Sequence, residues 1–196
     1  MHALRLIRVR FAPALAIALS LAVLSAGCER ATSSADGGVA VDLALMAFLS
    51  QARAVHHEAN VREAGGDAKG AILALEGLTA ARRPDGARPE VAELMADTFA
   101  RLAELRARSG DVDGAARDLE SGLAQAPARS YFEGHLYEVA GIVSETKAKQ
   151  LADAGRESAA AEARGKAIEL LRKAVAIQEE VIRSTLAADA GPRKAP

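Results

Sequence analysis

Apolar residues recur at steps of three and four along most of this 196-residue chain, and this spacing is the strongest constraint on its fold. Such spacing places apolar side chains on one face of an α-helix. Ala, Leu, Glu and Arg, which are strong helix formers, dominate the sequence, and no run of alternating β-branched residues indicates a strand. We therefore predict an all-α fold for the part of the chain that follows residue 40.

Glycine and polar capping residues divide this pattern into helix pairs. A glycine precedes an aspartate at 66–67 and again at 110–111, where one helix would end and the next would begin. Gly155 lies in a third turn of this kind. We predict six helices in three antiparallel pairs over residues 41–186, followed by a disordered tail at 187–196. The apolar stripe expected in the last helix comprises Ile168, Leu171, Val175 and Ile182.

The first 28 residues have the layout of a bacterial export signal. Three arginines precede an uncharged, apolar stretch at residues 11–24, which is too short to span a bilayer as a helix. The chain continues with Ser-Ala-Gly and then Cys28. Together with the leucine before it, this segment resembles the lipobox of bacterial lipoprotein precursors. The resemblance implies a signal peptide at residues 1–27 that is removed and a lipid attached to Cys28.

An ordinary secretory signal and an uncleaved membrane anchor are the alternatives to a lipoprotein signal. Cys28 is the only cysteine, so we expect no disulfide in the exported domain. The resemblance implies firm membrane attachment, because several acyl chains would be buried together. Glu29 follows the cysteine, where lipoproteins kept in the inner membrane often have Asp. We therefore expect a lipid-anchored protein of the cell envelope, at the outer membrane and facing the periplasm, with residues 28–40 as a flexible tether.

The middle helix pair carries a second resemblance. Small residues flank its turn, a large apolar residue follows, and a proline ends the segment. The residues concerned are Ala103, Gly110, Ala115, Leu119 and Pro127. With these residues, the segment 99–127 resembles a tetratricopeptide repeat, in which small side chains let two helices approach closely. Phe99 stands where the family usually has Trp, and Arg106 stands where it usually has Tyr.

The other two pairs match this family less completely. The corresponding alanines are Ala71, Ala115 and Ala167, which are separated by 44 and 52 residues. The standard repeat has about 34 residues, so the helices or turns here would be extended. The resemblance implies a tetratricopeptide-like α-solenoid of three antiparallel helix pairs. A generic antiparallel helical bundle is the alternative.

Charge and motifs point away from catalysis and from nucleic-acid binding. Acidic and basic residues are interspersed and the net formal charge is −1, so no basic patch is expected. His56 and His57 are adjacent on a predicted helix and point about 100° apart, so they cannot share one metal ion. The sequence contains no zinc-peptidase, P-loop, dinucleotide-binding or serine-hydrolase motif. We predict a protein that is not an enzyme and that needs no metal or cofactor.

The leading functional hypothesis is a lipid-anchored scaffold of the tetratricopeptide type that holds a protein or peptide partner at the envelope. The resemblance implies a binding groove lined by the first helix of each pair. The groove positions that it implies here are Arg53, His56, Asn60, Arg101, Glu104 and Arg108. The arginines among them would pair with acidic side chains of the partner. The alternatives are a structural helical-bundle lipoprotein, acting as an assembly subunit or spacer without a ligand groove, and a carrier of a soluble ligand or lipid.

Overall fold

The computed structural model describes residues 42–86 and 88–189, and these residues form six α-helices and no β-strand. The predicted all-α fold is confirmed for this part of the chain. No helix within it combines the length and the apolar character that crossing a membrane requires. The predicted signal peptide, Cys28 and the tether lie outside the described residues. The helices are α1 (Leu43–Ala64), α2 (Ala68–Ala80), α3 (Pro89–Arg108), α4 (Val112–Gln125), α5 (Tyr131–Asp153) and α6 (Glu157–Asp189).

Aspartate side chains fix the starts of α2 and α4. The Asp67 carboxylate accepts a hydrogen bond from the amide of Gly70 at 2.9 Å, and Asp111 accepts one from the amide of Gly114 at 2.8 Å. Each bond satisfies an amide that has no partner within its own helix. The helix boundaries predicted from the two Gly-Asp sequences are therefore confirmed.

The three turns within the pairs share one backbone geometry. Gly66, Gly110 and Gly155 have φ angles of 81°, 89° and 71°, in the left-handed region that glycine adopts readily. In each turn the glycine amide donates to the carbonyl three residues back, and the next amide donates to the carbonyl five residues back. This is the Schellman pattern of helix ends. Successive turns lie 44 and 45 residues apart, so the described chain contains three similar helix–turn–helix units.

A buried alanine lies on each side of every turn, seven residues before the glycine and five residues after it. These alanines are Ala59 and Ala71, Ala103 and Ala115, and Ala148 and Ala160. Small side chains at a contact reduce the distance between two helix axes. The prediction that Ala167 is the third matching alanine is wrong. Ala160 occupies that position, 45 residues after Ala115, and Ala167 lies about two turns further along α6.

Contacts between helices follow the order of the chain. The helices α1 and α2, α3 and α4, and α5 and α6 pack as pairs, and the first helices α1, α3 and α5 contact one another in sequence. In addition, α2 packs against α3 and α4 packs against α5. The largest apolar cluster joins α3, α4 and α5 and includes Leu119, Leu136 and Val139. We refer to the outer surface of α1, α3 and α5 as the first-helix surface.

The predicted apolar stripe of α6 does not face the core. Its members are exposed, and α6 instead buries Ala160, Ala167 and Ala174. Helix α5 presents glycines towards α6, so the two helices approach closely, and Leu171 packs over Gly141 while its side chain stays 38% exposed. A Cβ atom added at Gly141, for example, would lie 2.6 Å from the Cγ atom of Leu171. Helix α6 also extends to Asp189, beyond the boundary at residue 186 where the disordered tail was predicted to begin.

Candidate functional site

Charged side chains link α1 to α3 on the first-helix surface. Arg101 of α3 pairs with Glu63 of α1, and its Nη1 atom lies 2.9 Å from Oε2 of Glu104. Arg101 also donates a hydrogen bond to Oδ1 of Asn60 at 3.4 Å. Arg108 reaches the same two carboxylates, at 2.8 Å from Glu63 and 3.7 Å from Glu104. We call these two arginines and two glutamates the α1–α3 network.

Four of the six predicted groove positions therefore meet at one place. Asn60, Arg101, Glu104 and Arg108 come together, and Glu63, which the sequence did not single out, lies between the two arginines. The network carries two positive and two negative charges, so its arginines are already neutralised within the chain. Only Arg108 keeps a side chain that is largely accessible, at 56% exposure.

His56 of α1 is directed towards α3. Its Nε2 atom lies 3.0 Å from the hydroxyl oxygen of Thr98, which is fully buried. The Thr98 hydroxyl donates its only hydrogen to the carbonyl oxygen of Leu94 at 2.8 Å. With that hydrogen used, the hydroxyl oxygen of Thr98 is placed to accept a hydrogen bond from Nε2 of His56. Burial lowers the pKa of His56, and the carboxylate of Asp97 opposes this effect. This hydrogen bond gives His56 a structural role between two helices.

Arg53 stands apart from the other predicted positions. It is exposed on α1, and no ion pair within residues 42–86 and 88–189 includes it. The family resemblance implied that its guanidinium would face a partner together with those of Arg101 and Arg108. The structure instead joins the latter two through shared carboxylates, so Arg53 is the one predicted arginine that remains separate.

A shallow apolar cavity lies beside the network, between α3 and α5. It has a volume of about 240 Å³, and its lining includes the side chains of Ile142 and Thr146 on α5. Glu104, Ala107 and Arg108 of α3 complete the lining. Ile142 is 43% exposed, so its side chain is accessible to a second molecule at this cavity. The cavity thus offers an apolar contact bordered by one accessible cation and one carboxylate.

Arg106, whose role the sequence did not indicate, connects three helices on the other side of α3. Its Nε atom lies 2.7 Å from Oδ2 of Asp118 on α4, and its guanidinium also pairs with Glu76 on α2. Asp111, in the turn before α4, lies 3.5 Å away. Burial raises the pKa of the Asp118 carboxyl, and the adjacent guanidinium opposes that rise. Arg62 occupies the equivalent position in the first unit, and this recurrence of arginine was the sequence signal that could have indicated a role for Arg106.

The chemistry of these surfaces consists of ion pairs, hydrogen bonds and one small apolar contact. Among residues 42–86 and 88–189, no three His, Cys, Asp or Glu side chains are grouped so that they could hold a metal ion. No protein-family model, curated protein or solved structure matches this chain.

Proposed function

We propose that this chain is a lipid-anchored scaffold of the bacterial envelope that binds a protein partner on its first-helix surface. The observation that carries the proposal is the repetition of one turn geometry at intervals of 44 and 45 residues. Three units with the same turn and the same flanking alanines favour a tetratricopeptide-like α-solenoid over a generic antiparallel bundle, because a bundle does not require its pairs to repeat. Stacked helix pairs create extended surfaces on which another chain can lie.

The cavity between α3 and α5 indicates the chemistry of the partner. An apolar side chain of the partner fits beside Ile142, and a carboxylate next to it on the partner can reach Arg108. Apolar anchors with a charged border are typical of the residues that contribute most to protein interfaces. Arg101 is a poorer contact for a partner, since it already pairs with Glu63 on α1 and with Glu104 on its own helix. The expected ligand is therefore a helical or extended segment with an apolar residue adjacent to an acidic one.

Membrane attachment through Cys28 is the second element of the proposal. It is supported by the lipobox-like sequence, and residues 28–40 would allow the domain to lie up to about 40 Å from the membrane surface if fully extended. Metabolic labelling with a lipid precursor tests it directly, by comparing the wild type with Cys28→Ala. Label on the wild type and none on the variant is expected. Equal labelling of both would exclude a lipid on this cysteine.

Partner binding can be tested by placing a photoreactive amino acid at position 142 in the full-length protein in cells. Position 73 provides the control, because Leu73 is also a large exposed apolar residue but lies on α2. We expect adducts with a different protein from position 142 and none from position 73. Arg108→Glu should reduce the yield at position 142, because it reverses the charge at the border of the cavity.

Two results would contradict the binding proposal and favour the spacer alternative. One is a crosslinking yield that is the same at positions 142 and 73. The other is an adduct at position 142 that contains only this chain. Since the readout is the identity of the adduct, it is independent of whether Cys28 carries a lipid.

A further inference from the structure

Helix α6 presents a row of large apolar side chains that stay exposed within the described part of the chain, although Leu171 also contacts Gly141 of α5. The residues of this row, which we call the α6 stripe, are Ile168, Leu171, Val175, Ile182 and Leu186. Their exposure ranges from 38% to 64%. They recur at steps of three, four and seven, as in a helix that packs along another helix. Terminal units of stacked repeats normally have a polar outer face, which keeps them soluble.

Comparing α6 with the equivalent positions of the preceding unit indicates what kind of element would cover the α6 stripe. Moving back by the 45 residues that separate the second and third units places Ile168 on Leu123 and Leu171 on Ala126. Leu123 of α4 and Ala126, the residue that caps its end, both pack against the cluster that contains Leu136 of α5. The equivalent surface in the preceding unit is therefore covered by a helix.

Charged residues beside the stripe indicate which helix covers it. Arg172 and Glu179 flank Val175 on the exposed side of the stripe, three and four residues away. If two α6 helices run antiparallel across a two-fold axis near Val175, Arg172 of each copy lies opposite Glu179 of the other. If the two helices ran parallel, Arg172 and Glu179 of one copy would instead lie opposite Ala167 and Ala174 of the other copy. These alanines are buried against α5. The charge pattern is thus complementary to itself in the antiparallel orientation alone.

We propose that the α6 stripe is the interface between two copies of this chain, with their α6 helices antiparallel. Leu171 of one copy then packs near Ile182 of the other, and Val175 lies close to the axis. The contact is isologous, so one surface satisfies both copies and the assembly closes as a dimer. The dimer leaves the network and cavity between α1, α3 and α5 outside its central contact, so it is separate from the proposed partner site.

Charge reversal tests this arrangement in the full-length protein, purified in mild detergent and examined by sedimentation over a range of concentrations. The two-fold axis generates two pairs between position 172 of one copy and position 179 of the other. Arg172→Glu and Glu179→Arg each give both pairs like charges. Each should raise the dimer Kd by at least about tenfold. The double variant Arg172→Glu/Glu179→Arg restores opposite charges and should return the Kd to within about threefold of the wild type. Lys166→Glu, a reversal on another face of α6, is the matched control and should leave the Kd unchanged.

The double variant distinguishes the antiparallel α6 contact from a dimer that forms through another surface. A wild-type protein that remains monomeric at all concentrations would overturn the proposal. A dimer that neither single reversal weakens would also overturn it, because the contact would then lie elsewhere. If both single reversals weaken the dimer and the double variant does not recover, the antiparallel pairing is wrong.

Discussion

Replacing Arg106 by methionine is expected to destabilise the domain, because Arg106 is the cation that α2, α4 and the turn between α3 and α4 share. Methionine keeps much of the apolar length of the side chain but removes the guanidinium. Asp118 would then lie largely buried near Glu76 without the guanidinium that pairs with both carboxylates, and only the more distant charge of Arg117 would act on Asp118. The expected loss of stability therefore comes mainly from uncompensated charge and only to a lesser extent from lost packing.

The magnitude follows from the exposure of the groups involved. Removing one partner of a buried ion pair costs about 3–5 kcal/mol. Arg106 and Asp118 are 21% and 14% exposed, but Glu76 is 40% exposed, so solvent screens part of the change. We expect a loss of about 2 kcal/mol in the free energy of unfolding. In a domain of this size that corresponds to a Tm lower by roughly 4–8 °C.

Arg62→Met is the matched control, since Arg62 lies 44 residues earlier at the same place in the first unit. Its side chain is 42% exposed and its partners Glu58 and Asp67 are about half exposed, so solvent screens these pairs and the loss should be clearly smaller than for Arg106→Met. Urea unfolding followed by circular dichroism measures both variants. Adding Asp118→Asn to Arg106→Met should recover about 1 kcal/mol, because it removes the unbalanced charge. Equal losses for Arg62→Met and Arg106→Met, or no recovery in the double variant, would refute the role assigned to Arg106.

Four further variants test the packing and the partly buried histidine. Gly122→Ala should lower stability by about 1–3 kcal/mol, because its Cβ would lie 2.6 Å from a methyl group of Leu136. Gly77→Ala, where a Cβ meets nothing within 4 Å, should raise stability by about 0.5–1 kcal/mol. If urea unfolding gave the same change in stability for Gly122→Ala and Gly77→Ala, the close packing at Gly122 would be contradicted. Ala115→Leu should lower the Tm clearly, since Ala115 is fully buried beside the Gly110 turn. The lowered pKa of His56 means that the unfolded chain binds a proton more readily, so stability should fall as the pH falls below about 6.5. His56→Gln should flatten this pH dependence in urea unfolding, and an unchanged slope would exclude His56 as its source.

The helices were predictable because their signals are local. Each Gly-Asp sequence contains both a helix end and the cap of the next helix, and the apolar spacing of α1 to α5 matches the side chains that are buried. Helix α6 was misread because it has two candidate faces, one with large apolar residues and one with alanines. The small residues of α5 and α6 recur every seven positions, at Gly134 and Gly141 and at Ala160, Ala167 and Ala174. This matching seven-residue spacing of small residues on the two helices is the sequence signal that distinguishes the buried side of α6.

The candidate site was less predictable, because its contacts join residues that are far apart in the chain. The family resemblance selected positions on the first helices, and four of them do meet. However, the sequence does not show which carboxylate lies opposite which arginine, since this depends on the register between α1 and α3. Glu63 was missed for this reason. The apolar stripe on α6 was predicted, but its exposure was not, because whether an apolar side chain is covered depends on its neighbours in space.

Apolar clusters join successive units of this chain, and ion pairs add to them between the first two units. Only 3% of residues are aromatic, so leucine, methionine, valine and alanine side chains make up most of these clusters. Alanines and glycines bring paired helices close together, but they bury little apolar area per residue. Arginines also reach carboxylates on neighbouring helices, at Arg106 between α2, α3 and α4 and at Arg101 between α1 and α3, and so add ion pairs to the apolar contacts of the first two units. Since salt screens partly exposed ion pairs, stacking of the units should be more salt-sensitive than the formation of each helix pair.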